Sequence, residues 1–517
     1  MDKSIIIIGG GIAGLAAGCY GQMNGYRTQI FELHDKPGGL CTSWKRKGYT
    51  IDGCIHWLVG SGPGSGFHRI WEELGAVQGR RFVDHEEFMR VEGADGRTFI
   101  LYTDVDRLEQ HLKELAPADT KLIKEFCNSV RLATPFGSLA EMPEGLFGKL
   151  QAGFKMLPFL WLLGKYRKTS LEDFADRFSD PFLREAFSQF SLGLPDFPVL
   201  GFILTLAWMH NHDTGYPIGG SLEFSQAIER RYLDLGGEIH FKSRVSKILV
   251  EACPVPRTPL RGEQGRRNDR AVGVRLTDGS EHRADVVISA ADGHATIFDM
   301  LEGKYINDEI QAYYERLPIF QPIIQVSLGV ARDLSNEPHM VTYSLEEPIT
   351  IAGEARKELG VKHFCYDPTL APAGKSVVEV MFTSNYEYWK PLREERERYE
   401  AEKQQIALTV MAQLEKRLPG LTDQIEVVDV ATPMTYENYT GNWQGSMEGW
   451  LITTKTMTMR MSKTLPGLQN FYMAGQWVEP GGGVPTAAMS GRNVIRNICR
   501  RDKRPFVPRT PLRGERG

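Results

Sequence analysis

Four groups of residues in this 517-residue chain have the types and spacing to hold an anionic ligand. Gly9, Gly11 and Gly14 form a G-x-G-x-x-G run around Ile12 and Ala13, directly after the isoleucines Ile5 to Ile8. Such glycines let the backbone turn tightly and approach a pyrophosphate, and a helix starting there points its positive end at the phosphates. Glu32 closes the next apolar run, "RTQIFEL", about 20 residues on, where a carboxylate can take ribose hydroxyls. The third group, Gly38-Gly39, follows at once in "HDKPGGLCTSW". A nicotinamide site needs no second glycine turn there, whereas a flavin dinucleotide has a longer pyrophosphate and ribityl chain to cover, so FAD is the expected cofactor.

The fourth group lies near the other end of the chain, in "AGQWVEPGGGVPTAAMSGRN". Only 34 residues follow Gly483, too few for a dinucleotide fold of its own, and neither the spacing nor a later acidic strand is present. The expected elements are a short strand, "NFYMAG", a turn through Gly475 and Gly482-Gly483, and a helix entered at Val484 with Pro485 at its first position. Taken alone, the segment fits an ordinary strand–turn–helix as well as an anion site. Beside the N-terminal fingerprint it reads as the distant half of one flavin site, its helix facing the edge of the ring that gains negative charge on reduction.

The elements that must position these residues follow from the patterning. Continuous β-branched runs read as buried parallel strands, so the N-terminus is expected to be a strand and not a leader peptide. Residues 220–300 read as a return to the nucleotide fold: a helix "SLEFSQAIERRYLDLGG", a strand "EIHFKSRVSKILVE", and "RAVGVRLTDGSEHRADVVISAAD". Residues from about 105 to 215 are helical in pattern, and 305–440 mix strand-like runs with one charged helix, "REERERYEAEKQQIALTVMAQLEKRL". The expected fold is α/β (α+β): a discontinuous Rossmann-like FAD-binding domain (1–75, 220–300, 440–505) and a substrate or membrane-facing domain with a mixed sheet and helices (76–219, 301–439).

Composition removes several function classes. The net charge of -4 gives no footprint for nucleic acid. Seven scattered cysteines without a CxxC argue for a reducing, cytoplasmic setting and against a zinc site. The most apolar stretches are shorter than the roughly 20 residues of a membrane span. "WMHNHD" (208–213) lacks a further ligand cluster and reads as a structural turn, not a metal site.

Together, "IIIIGGGIAGLAAG", "ELHDKPGG", "GYTIDGCIHWL", "GYPIGGS", "ADVVISAAD" and "LQNFYMAGQWVEPGGGVPTAAMSGRN" occur in the order of one family. The chain resembles the phytoene desaturase, carotenoid isomerase and retinol saturase group of FAD-dependent oxidoreductases, within the wider amine-oxidase-like flavoprotein fold. The resemblance runs nearly the whole length. It implies an enzyme that desaturates, saturates or isomerises a long apolar isoprenoid or polyene, with Val245 beside the adenine and Ala290–Asp292 re-entering the flavin site. Leu40 departs from the wider fold, which often carries Arg after the paired glycines; Lys36 and the helix N-terminus would then compensate. Rival readings are a flavin amine oxidase, with Trp477 as one aromatic wall, and a flavin-bearing lipid- or membrane-binding protein without turnover.

His56, in the Asp-x-Gly-x-His segment that the resemblance sets near the flavin, is a candidate catalytic residue or equally a packing histidine. Leu146–Lys168, "LFGKLQAGFKMLPFLWLLGKYRK", has lysines framing Phe, Leu and Trp, as in a helix lying in a membrane interface or one lining an internal cavity. The resemblance favours peripheral contact at the inner face of the membrane. A near-duplicate, "VPRTPLRGEQG" at 255–265 and "VPRTPLRGERG" at 507–517, is too short for a solenoid unit, so 254–269 and 506–517 are expected to be mobile surface segments.

Overall fold

The isoleucine run forms the central strand of a five-stranded parallel sheet in the computed structural model, which describes residues 3–136, 146–191, 193–252 and 269–509 (side chains of 146–155 excepted). Across this sheet the strands run Phe471–Met473, Val286–Ser289, Ser4–Ile8, Arg27–Phe31 and Glu238–His240, every pairing parallel. The expected α/β fold is present. Residues from the first 31 positions pair with strands more than 200 residues later, so the nucleotide sheet is discontinuous in sequence.

Three helices pack together beside that sheet: the fingerprint helix Ile12–Met23, Gly220–Asp234 and the terminal helix Val484–Arg501. The fingerprint and terminal helices approach closely because Gly491 has no side chain. A Cβ there would lie 2.3 Å from the Ala13 carbonyl oxygen and 2.9 Å from the Ala17 nitrogen.

The segment "EIHFKSRVSKILVE" is not one strand. Glu238–His240 ends the parallel sheet, whereas Val245–Ala252 pairs antiparallel with Asp269–Leu276 in a separate small sheet. Lys242 between them takes a left-handed φ of 54°. Its N–H donates to the His34 carbonyl while that of Ser243 donates to the Glu32 carbonyl, so the chain bends over the end of the acidic strand. Alternation alone carried no sign of this bend.

A seven-stranded mixed sheet forms the third part, in the order Ile425–Ala431, Ile323–Val330, Ser376–Thr383, Glu354–His363, Met340–Ile351, Glu87–Glu92 and Thr98–Tyr102. Only Met340–Ile351 with Glu87–Glu92 is parallel. The expected helices of 105–215 are present and share an aromatic core that includes Phe99, Phe126, Phe174, Phe187 and Phe202. The charged helix Arg396–Arg417 buries a stripe of Ile406, Ala407, Val410 and Leu414 and leaves most of its charges in solvent, with Arg417 paired to Glu92.

The first repeat copy, 255–265, and most of the second, 510–517, lie outside the described residues. Val507 is held by both polar atoms of the Asn24 amide, at 2.7 and 2.9 Å, and Phe506 packs on Tyr20. Asp269, at the other segment's edge, opens a strand and accepts a hydrogen bond from the Tyr305 hydroxyl. No helix among the described residues is long and apolar enough to cross a membrane.

Candidate functional site

The first glycine turn and the acidic strand are tied together directly. Glu32 is buried, and its two carboxyl oxygens accept from Gly10 N at 2.6 Å and His34 N at 2.7 Å. Burial pushes this carboxyl above its ordinary range, and the two N–H groups pull against that shift. Gly9 turns at φ +96° with its N–H on the Phe31 carbonyl, and Gly38 N donates to the Gly10 carbonyl at 2.9 Å. Gly11 bridges to Gly38, so the two glycine turns stand side by side. A Cβ on Gly11 would project into the narrow space before Gly38 and Gly39, 3.8 and 4.0 Å from their nearest atoms.

The C-terminal glycines join the same place. A Cβ on Gly475 would rest 3.4 Å from the Ala13 side chain, and Gly475 N is held by Ser490 Oγ at 3.0 Å. Gly482 and Gly483 both have positive φ, and a Cβ on Gly482 would fall 2.5 Å from Glu448 Cβ. Val484, and not Pro485, is the first helical residue; Pro485 stands second, because Gly483 at φ +82° completes the turn one residue earlier than proline frequency suggested.

Neither helix start has a side-chain cap, and neither carries an acid in its first turn. Unclaimed N–H groups at a helix start favour an anion. The two uncapped starts, the glycine-lined gap at Gly11 and the acid at Glu32 therefore fit a dinucleotide whose pyrophosphate meets the first helix and whose electron-rich end meets the second. Ile12 and Ala13, buried in the first turn, bring the two helices together.

The other expected residues divide. Lys36 Nζ donates to the Ser43 carbonyl at 3.1 Å, a bond that any phosphate contact would have to share. Leu40 packs against the buried cluster of Ile323, Ala431 and Tyr436, which explains an apolar side chain in place of a guanidinium. Val245 is buried with Ile6, Ile8 and Phe31 against the nucleotide sheet. Trp477 is only 4% exposed, packed on Trp450 and Tyr314, so it offers no free wall. In "WMHNHD", Asp213 accepts from Gly62 N at 2.8 Å, the structural turn expected there.

Three acids and a lysine went unread in the sequence. Glu448, beside the Gly482 turn, is pushed up to about 7 by burial. Asp52 holds Ser221 N at 2.7 Å and Cys54 N at 3.1 Å and also takes the Ser221 hydroxyl. On the seven-stranded sheet, Lys362 sits directly across from Glu379, both buried. Gln325 Nε2 donates to Glu379 at 2.6 Å and to the Asp52 carbonyl at 2.9 Å, while the Tyr436 hydroxyl donates to Gln325 Oε1 at 2.7 Å. Lys362 Nζ hydrogen-bonds His56 Nδ1. The signal that could have found them is a single charge inside an apolar strand, as in "SVVEVMF", since an unpaired buried charge is prohibitively costly.

The family described as flavin containing amine oxidoreductase matches residues 12–499. Among curated proteins, prolycopene isomerase 1 of an Oncidium hybrid cultivar is 25% identical over 95% of this chain and 82% of its own length. The neurosporene-forming phytoene desaturase of Rhodobacter capsulatus is 25% identical, covering 95% and 93%. An oxidoreductase from Methanosarcina mazei of known structure superposes with a TM-score of 0.58 at 20% identity, covering 95% and 100%.

Proposed function

The chain belongs to the flavin containing amine oxidoreductase family, and from that premise we propose that this FAD-dependent oxidoreductase acts on a long apolar polyene of the carotenoid or retinoid kind. The observation that carries the substrate class is the near-complete alignment with a prolycopene isomerase and a phytoene desaturase at similar identity. When bound, the flavin supplies reversible two-electron exchange with a C–C unit. The protein's own part is to bind and orient. Gly9, Gly11 and Gly14 with the first helix start would hold the pyrophosphate, Glu32 the ribose, and Gly475 and Gly482 to Pro485 the ring edge. The packing of Leu40, Trp44, Met381 and Met447 against Ile323, Ala431 and Tyr436 supports a dry wall for an apolar chain.

Desaturation, saturation and isomerisation are separated by the visible spectrum of the purified protein, followed anaerobically as NADPH is added. Bleaching of the flavin bands is the expected result for saturation, or for an isomerisation that needs reduced flavin. A flavin that stays oxidised, and bleaches only with a polyene, marks a desaturase. Bleaching by simple amines and not by any polyene overturns the proposal in favour of an amine oxidase.

We further propose that the protein attaches peripherally to the inner face of a membrane. The helix Leu146–Tyr166 leaves Leu157, Leu160 and Trp161 exposed at 56, 52 and 55%. Lys165 Nζ stands 4.9 Å from the Trp161 ring centre, an apolar ridge with a cation at its rim. Exchanging Leu160 and Trp161 for serine should weaken co-sedimentation with anionic vesicles about tenfold, the effect of losing part of two apolar side chains from an interface. Unchanged sedimentation would remove this surface from consideration.

A further inference from the structure

A row of polar residues crosses the apolar seven-stranded sheet. Asp429, Ser327, Glu379 and Lys362 occupy successive cross-strand positions, and directly opposed residues share one face. Lys362, 6% exposed, is the cation of the row, and its ammonium or amine meets His56 Nδ1 from the segment that leaves the strand Tyr49–Asp52. Two residues earlier on that segment, the Cys54 thiol meets Cys41, which follows the Gly38-Gly39 turn. Residues 54–56 therefore span from the sheet to the chain that follows the glycine turns. Its Nε2 has no hydrogen-bond partner among the described residues, and the ring is only half-buried.

The chemistry of this contact is restrictive. An ammonium can only donate, so a protonated Lys362 requires a bare Nδ1 and puts the imidazole proton on Nε2. A neutral Lys362 keeps two N–H bonds but gains a lone pair, so it admits the Nδ1–H tautomer that leaves Nε2 bare. We propose that Lys362 sets the tautomer of His56 and so decides whether Nε2 donates a proton to the substrate or accepts one from it. This rests on the reading of the protein as an oxidoreductase of C–C bonds.

In the donating direction the Nε2–H bond of His56 breaks and a C–H bond forms on the substrate. The Nζ–H bond of Lys362 breaks as Nδ1–H forms, so His56 is neutral before and after and Lys362 ends as the amine. The accepting direction is the reverse. The second hydrogen, with its electron pair, is the flavin's share of the exchange, and the two hydrogens together saturate or create one double bond.

The surroundings keep both states within reach. Burial lowers Lys362 to about 8 against the pull of Glu379 and Asp52. Glu379 itself is pushed up to about 8 by burial, Lys362 opposing. Burial, and then the Lys362 charge, hold His56 well below the ordinary histidine range, so it stays neutral through physiological pH. His85 and His339, stacked nearby, are held low by burial, to about 4 and about 2, and Lys362 adds to both shifts; neither contributes a competing cation. Lys362 is a positioning residue; His56 is the group offered to the substrate.

The test uses the flavin-loaded full chain with nitrogen-15 in its histidine rings. His56 is assigned as the signal missing from His56→Gln, and flavin content is checked by visible spectrum. In the wild-type protein the His56 signals should pass from the Nε2–H to the Nδ1–H pattern as pH rises through about 8. Lys362→Arg, which stays cationic, should hold the Nε2–H pattern throughout. With a polyene substrate it should lose turnover in both directions about 100-fold, the ordinary worth of a general acid or base, because arginine holds the proton on Nε2 and cannot release the one that the donating step needs. A single His56 tautomer across the titration, or an imidazolium, overturns the proposal even if Lys362→Arg fails to fold, because the wild-type titration stands alone. A tautomer change without conversion of any polyene would instead overturn the substrate reading and leave the switch in place.

Discussion

Gly14→Val is expected to purify without bound flavin. A Cβ at Gly14 would lie 1.9 Å from the Gly9 carbonyl oxygen and 3.1 Å from its carbon, backbone atoms that cannot step aside as a side chain would. The strand–helix turn must open to admit it, and the unclaimed N–H groups at the start of Ile12–Met23 then lose their aim. Hydrogen bonds to a charged partner contribute roughly 1.5 to 3 kcal/mol each. Losing two weakens flavin binding by about 100-fold or more. The ratio of flavin to protein absorbance after gel filtration measures it. Gly25→Ala is the matched control: no atom lies within 4 Å of its Cβ, and only its φ of +74° is strained. That strain costs about 1 to 2 kcal/mol of stability and no flavin. A full flavin complement in Gly14→Val would mean that the fingerprint turn does not hold the cofactor.

Arg492→Met should be among the most destabilising single changes in the chain. Arg492 Nε lies 3.2 Å from Glu73 Oε2, with side chains only 5 and 3% exposed, and the Tyr20 hydroxyl donates to the same oxygen at 2.5 Å. The guanidinium also lies over the Tyr20 and Phe506 rings. This pair fastens the terminal helix to Gly66–Glu73 and to the fingerprint helix, the joint that holds the two halves of the cofactor site together. Removing the cation takes a buried charge partner from Glu73, an effect of about 3 to 5 kcal/mol. Denaturant unfolding of the flavin-loaded protein reads it. The double variant Glu73→Gln with Arg492→Met should recover a substantial part of the loss, since the carboxylate is then removed together with the cation that faces it. A loss below about 1 kcal/mol in Arg492→Met would show that the carboxyl is neutral in the native protein.

The nucleotide half of the protein was legible because its signals are local. Four isoleucines, three glycines at fixed spacing, an Ala-rich helix and an acid at the end of the next strand each act within a few residues of themselves, and they take the same form in the fold. The C-terminal half was legible by pairing: a glycine turn before a helix means little alone, yet Gly475 and Gly491 pack on Ala13 as a shared site requires. Two local readings went astray, the undivided strand at 238–251 and Pro485 as the first helical residue. Both failed where a left-handed residue, Lys242 or Gly483, redirected the chain.

The sequence by itself determined the family, the cofactor and the glycine turns, because short-range sterics and helix-end electrostatics depend only on neighbours. Lys362, Glu379, Asp52 and His56 are different. They come from three separate stretches, with Lys362 and His56 306 residues apart, joined by the register of one sheet and the close of one loop upon it. Nothing near Lys362 in the chain names Glu379 as its cross-strand neighbour or His56 as its partner, since register is set by the packing of whole strands. Tertiary structure alone decided that the one buried lysine of this sheet faces an imidazole.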